Sequence, residues 1–184
     1  MLDKEQCVSV MSQVKEIIQK SKLNVTNCEL MKIQVTDFGL GDLKQYGAQI
    51  ITLSDTDLIG VKLIVLLPDQ ILPEHYHPRV DEYMGKQEIV RGEWGQTFVY
   101  DEGTANDFGK QRVSSELENY TAFNETLLGR AEQLLIEPRT KHWFMGGPEG
   151  SIIWSFSSKV LDKNDVFTNK SVKRDSVSFC KIEL

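Results

Sequence analysis

The chain reads as a mainly β domain, a small barrel or sandwich preceded by one helix, on two observations. Helical periodicity is confined to the first part. From about Leu30 it gives way to short apolar or alternating runs rich in Val, Ile, Phe, Tyr and Trp. Gly, Pro, Asp and Asn separate these runs, and many strands after one helix do not fit repeating β-α units. A length of 184 residues suits a single domain, residues 1–184, able to bury roughly 70% of its unfolded surface.

The helical segment is expected within residues 1–28. Cys7, Val10, Met11, Val14, Ile17 and Ile18 recur at helical spacing, Lys, Glu and Gln between them make a wet opposite face, and Asp3 is placed to cap the start. Strands are expected over Met31–Val35, Ala48–Leu53, Ile59–Leu67, Glu88–Tyr100, Ala131–Ile136 and Ser151–Phe156. Together they make a barrel from about residue 30 to 160. Ile59–Leu67 is apolar almost throughout, so periodicity does not separate a buried strand from a buried helix; its short length and β-branching favour a strand. Asp101–Gly129 is polar and rich in Gly, Asn and Ser, and is expected to be a long surface loop. Residues 161–184 form a polar C-terminal segment in which Asp162-Lys163-Asn164-Asp165-Val166-Phe167 stands out.

Composition excludes some partners. A net charge of −6 argues against nucleic acid or an anionic membrane, both of which reward basic patches. Cys7, Cys28 and Cys180 are odd in number and belong to no short motif, so they are expected to be reduced thiols. No apolar run reaches the ~18 residues that span a bilayer, and no basic region followed by an apolar core opens the chain. The expected location is cytoplasmic.

Function is written in the histidines. All 3 fall into one candidate constellation, His75 and His77 in Glu74-His75-Tyr76-His77-Pro78, and His142 in Thr140-Lys141-His142-Trp143. On a strand, residues two apart share a face at roughly 6–7 Å, so both rings can reach one ion at about 2.1 Å. Imidazole is the commonest ligand for first-row transition metals. These three histidines resemble the cupin superfamily's metal set of three histidines and one glutamate, and two carboxylates compete for the glutamate position that the resemblance implies. Glu82 lies between Pro78 and Gly85 in an expected loop, whereas Glu88 opens a strand and gains the rigidity a ligand needs. Glu88 is the preferred ligand. Trp143 and Phe144 are expected to build an apolar wall behind His142.

His75-x-His77, a following Glu and Gly95, and a distant His142 after Pro138 resemble the two motifs of the cupin superfamily, implying a cupin-type β-barrel (jelly roll) holding a divalent metal. The general cupin spacing is not kept. Asp69 replaces the usual Gly, and six extra residues separate His77 from Glu88. Pro73-Glu74-His75-Tyr76-His77-Pro78, Gly85-Lys86-Gln87-Glu88, Thr140-Lys141-His142-Trp143-Phe144 and Asp165-Val166-Phe167-Thr168 more narrowly resemble the cupin-fold D-lyxose ketol-isomerases. That resemblance implies Mn²⁺ held by His75, His77, Glu88 and His142, and catalytic roles at Lys62, Lys86 and Asp165. It also implies interconversion of D-lyxose with D-xylulose and of D-mannose with D-fructose.

The chemistry accounts for such residues. Aldose–ketose isomerisation through a cis-enediol needs a Lewis acid to strengthen the carbon acid and a base to carry the proton between C1 and C2. Lys62 interrupts the apolar run Ile59–Leu67, where burying an ammonium is costly unless it faces a polar cavity. A homodimer is expected by analogy with other cupins. Competing expectations are a phosphosugar isomerase, for which Arg79, Arg91 and Arg139 are too scattered to form a phosphate site, an iron-dependent dioxygenase, and a non-catalytic metal- or sugar-binding cupin.

Overall fold

A computed structural model describes residues 2–104 and 119–180. Helix α1 spans Lys4–Ser21, with Asp3 and Gln6 forming a reciprocal capping box, and a short helix α2 covers Asn27–Leu30. Ten strands follow: β1 Gln34–Thr36, β2 Ala48–Asp55, β3 Gly60–Leu66, β4 Ile71–Tyr76 and β5 Glu88–Asp101. Then come β6 Asn124–Leu128, β7 Gln133–Ile136, β8 His142–Ser157, β9 Val166–Phe167 and β10 Val177–Phe179. They make one antiparallel sheet in the order β10-β1-β2-β3-β8-β4-β9, to which β5 adds β6 and β7. The sheet curls over on itself without a closed ring of strand pairing.

The two longest strands build the scaffold. β5 and β8 pair from Glu88↔Ser157 to Asp101↔His142, with register shifts at Gly92/Trp94 and Gly95/Thr97 where the pair bends. Gly95 and Gly150 sit at this bend with φ of 69° and 82°, and a Cβ on Gly95 would lie 2.3 Å from the Gly150 carbonyl oxygen. The bend lets one end of β8 pair with β4 and the other with β3.

Alternation along the strands sorts side chains into layers. Ile51, Leu63, Val65 and Ile152 face outward and are covered by Val10, Met11, Val14 and Ile17 of α1. Ile50, Ile64, Leu66, Val90, Ile153 and Phe144 face inward and fill the interior. A third cluster around Trp143, Tyr100 and Met145 lies on the outer side of the β4–β8 half.

Each expected run contains a strand, although of Met31–Val35 only Gln34 and Val35 are extended, in β1, and Ala131–Ile136 is strand from Gln133; three further expectations are corrected. The 101–129 segment is not all loop, because Asn124–Leu128 is β6, paired with Thr97–Asp101 and buried at Leu128; residues 105–118 lie outside the described part. Trp143 is not behind His142, since neighbouring strand residues point to opposite faces. It stacks on Tyr100 at 3.7 Å and donates its indole N–H to the Ala122 carbonyl, whereas Phe144 does flank the histidine at 5.5 Å. Cys7 and Cys180 are not free thiols. They form a disulfide across 173 residues, because β10 pairs with β1 and delivers Cys180 to the α1 layer. Cys28 is free and exposed. No helix among the described residues is long and apolar enough to cross a membrane.

Candidate metal centre and active site

Adjacent strands bring the three histidines together. His75 on β4 and His142 at the start of β8 are cross-strand partners, and His77 follows one residue beyond β4. Ring centroids are 4.4 Å apart for His75–His142, 5.1 Å for His75–His77 and 5.0 Å for His77–His142. One nitrogen from each lies within 4.8 Å of the others, and all three side chains are buried. Phe144 and Phe167 form the apolar flank.

The other ring nitrogens are tied to oxygens. His75 Nδ1 lies 2.9 Å from the Pro73 carbonyl oxygen, His142 Nδ1 2.8 Å from that of Thr140, and His77 Nδ1 2.8 Å from Asp165 Oδ1. At His75 and His142 such bonds fix the tautomer with Nδ1 protonated and turn the Nε2 lone pairs inward, the arrangement a metal-binding imidazole requires. His142 Nε2 is buried without a hydrogen-bond partner. An orphaned buried acceptor between two other imidazoles fits a cation. Burial, reinforced by His77, pushes the His142 pKa down to about 3, and burial with His142 nearby sets His75 well below its ordinary value. Both are therefore neutral, as ligands must be. His77 is held above its ordinary value, since Asp165 and Glu88 at its two nitrogens outweigh burial and Lys86.

Glu88 stands at the start of β5 with Oε2 3.1 Å from His77 Nε2 and 3.4 Å from Lys86 Nζ, while Ser155 donates to Oε1. Burial alone would raise its pKa, but Lys86 and His77 hold it well below the carboxylate range. Glu82 is exposed and lies 3.8 Å from Arg79. Of the two competing carboxylates, the structure brings Glu88 to the histidines.

A second ring of charge adjoins the first. Lys62 on β3 faces inward, paired in the ladder with Ser155, and its ammonium is ion-paired with Asp162. Asp162 lies on a short 3-10 turn, Asp162–Asn164, and also accepts from Arg174 Nη2 at 2.9 Å, while its other oxygen sits 3.7 Å from Lys86. Burial pushes the Lys62 pKa down, with Asp162 opposing. Burial would do the same to Lys86, but Glu88, Asp162 and Asp165 outweigh it and raise that pKa. Asp165 is occupied at His77 and stands 4.0 Å from Arg174 Nε. Asp162 and Arg174 are the site residues that sequence reasoning missed. The former stood three positions from Asp165 in a segment already singled out; the latter lies in a polar stretch with no distinguishing pattern. Arg79, Arg91 and Arg139 contribute to neither ring of charge.

A curled antiparallel sheet that brings three imidazoles and a carboxylate together is a cupin-like fold. The chain superposes on the L-ribose isomerase of Cellulomonas parahominis with a TM-score of 0.73 over 95% of this chain and 96% of that one, at 12% identity. The L-ribose isomerase of Acinetobacter sp. DL28 gives 0.73 over 93% and 94%, at 10% identity. No family model matches the sequence. Sequence relatives are closer. The D-lyxose ketol-isomerase of Cohnella laeviribosi is 43% identical over 163 residues, 88% of this chain and 90% of the relative. That of Thermofilum sp. is 39% identical over 175 residues, 95% and 97% of the two chains. The D-lyxose/D-mannose isomerase of Thermosediminibacter oceani is 40% identical over 176 residues, again 95% and 97%. The chain belongs to the D-lyxose ketol-isomerase family of aldose–ketose isomerases.

Proposed function

We propose that this enzyme interconverts D-lyxose with D-xylulose and D-mannose with D-fructose by proton transfer through a cis-enediol, with a divalent metal, Mn²⁺ first, held by His75, His77, Glu88 and His142. The observation that carries this reading is the convergence of three imidazoles, two of them held neutral, in a buried pocket beside paired lysines and carboxylates. Relatives with substrate names of the same kind support the choice of free sugars.

A bound ion would supply Lewis acidity, making the C2–H next to the aldose carbonyl easier to ionise. The side chains account for the rest. Lys62 is pushed down by burial and touches Asp162, so this pair is suited to take the proton from C2 and return it to C1 on the same face, while the hydroxyl proton moves from O2 to O1. Lys86 is held cationic by its carboxylate neighbours and faces the negative charge that develops on the enediolate. Asp165 orients His77 through Nδ1. Phe144 and Phe167 limit water on the apolar side.

A homodimer and a cytoplasmic location belong to the same proposal; in that compartment the Cys7–Cys180 bridge would form against a reducing thiol pool. The test is metal analysis followed by turnover on D-lyxose and D-mannose. Chelator dialysis is expected to abolish ketose formation and Mn²⁺ to restore it. Full turnover in metal-free protein would refute the metal assignment, and no ketose from either sugar in metal-loaded protein would refute the reaction.

A further inference from the structure

The space beside the imidazoles is too small for the proposed substrate. The cavity bounded by His75, Lys86, Glu88, Asp165, Phe144 and Arg174 measures about 40 Å³. That holds a water or two, whereas small-molecule pockets begin at roughly 300 Å³. A second cavity, of about 710 Å³, meets it at Arg174. Its walls include Gln34, Thr52, Asp55, Lys163 and Asp175, which offer the mixed donors and acceptors a neutral polyol can use. Arg174 lines both spaces.

The guanidinium of Arg174 spans the boundary. Nη2 donates to Asp162 Oδ2 at 2.9 Å, and Nε stands 4.0 Å from Asp165 Oδ2. It reaches across from the stretch between β9 and β10, whose backbone is held by Lys173 N–H donating to the Phe38 carbonyl oxygen at 2.7 Å. Asp162 comes from the other side, on a 3-10 turn with no side-chain cap and no buried residue. One rim is anchored through its backbone and the other only through the ion pairs of the Asp162 side chain, of which the pair with Arg174 bridges the two rims.

We propose that Arg174 is the access residue of this site. Its pair with Asp162 separates the outer cavity from the barrel interior and opens by movement of the 3-10 turn to admit an aldose. On closing, the same pair holds Asp162 against Lys62. The choice of an aldose rests on the isomerase reading; the closed boundary does not.

All 3 histidines of the chain are buried in one cluster, and His75 lines the inner cavity, so histidine modification reports access to it. The full chain, equilibrated with chelator, is treated with diethylpyrocarbonate and followed at the N-ethoxycarbonyl-histidine absorbance. Arg174→Ala is expected to react at least ~10-fold faster than the parent, with Arg174→Lys restoring most of the protection, as befits a local opening held by one ion pair. Thermal unfolding checks that the variants are folded; should Arg174→Ala unfold, Asp162→Asn breaks the pair from the other side. Parent-like reactivity in a folded pair-breaking variant overturns the inference. Faster modification in a protein that converts no sugar would leave the boundary standing and remove the isomerase reading instead.

Discussion

Two lysines on one buried wall carry opposite shifts, and the difference lies in their neighbours. Lys62 is pushed down mainly by burial, with Asp162 as its ion-pair partner. Lys86 is as buried but faces Glu88, Asp162 and Asp165, which raise it. A lowered ammonium gives up its proton more readily, which is why the proposed mechanism gives the proton to Lys62 and the fixed charge to Lys86. Replacing Lys62 with Met is expected to lower turnover by at least ~10²-fold, the low end for a general acid–base group, while bound metal measured by atomic absorption stays at the parental level. Near-parental turnover would remove Lys62 from the chemistry. Lys62 was legible because a charge inside Ile59–Leu67 is anomalous, and the histidines because none occurs elsewhere. Asp162 and Arg174 were not. A single Asp or Arg in a polar stretch has dozens of solvated precedents, and only the folded path of the C-terminal segment brings these two against β3.

At the level of elements, the site depends on a carboxylate that points away from it. Glu74 on β4 is fully buried and accepts from Thr121 N–H at 2.7 Å, Thr121 Oγ1 at 3.0 Å, Ala122 N–H at 2.7 Å and Thr168 Oγ1 at 2.6 Å. The Thr168 amide in turn donates to the Glu74 carbonyl oxygen. One side chain thus fastens the strand carrying His75 to the stretch before β6 and to the stretch after β9. Truncation to Ala leaves the buried Ala122 amide and the part-buried Thr121 and Thr168 donors without their acceptor at once, and a stranded buried group costs about 1–3 kcal/mol. Glu74→Ala is accordingly expected to lose about 3 kcal/mol or more in urea unfolding. A loss under about 1 kcal/mol would mean that water replaces the carboxylate at no cost. Strand existence was legible in the sequence through β-branching and breakers. Strand length was not, since β8 continues through Gly146-Gly147-Pro148, a stretch that reads as a turn yet forms the bend of a single strand. The disulfide was equally hidden, because pairing over 173 residues is a product of topology.

For the whole molecule, α1 covers only part of the outer sheet face. Beyond it the register sets Val61, Phe156, Ile89 and Leu135 in one cross-strand row over β3, β8, β5 and β7. Phe156 is 37% exposed and Leu135 48%, and Leu53 and Ile59 at 41% and 49% extend the apolar area. Isolated exposed apolar residues are ordinary, but a contiguous row is a surface that another sheet can cover. Two residues along the strands on one side lies Arg91, and on the other the hydrogen-bonded pair Gln87–Glu137. A twofold axis along the row would set the arginine of one copy over the carboxylate of the other, so the row is self-complementary, as an isologous dimer requires. The proposed homodimer is therefore assigned to this face. Light scattering after size exclusion is expected to give twice the 21.0 kDa chain mass. Phe156→Glu with Leu135→Glu should give the single-chain mass and an unchanged far-ultraviolet dichroism spectrum, because both side chains point away from the core and like charges would then face each other across the axis. A parent protein that runs at the single-chain mass would remove the dimer, and a double variant that still runs at twice that mass would move the interface to another face.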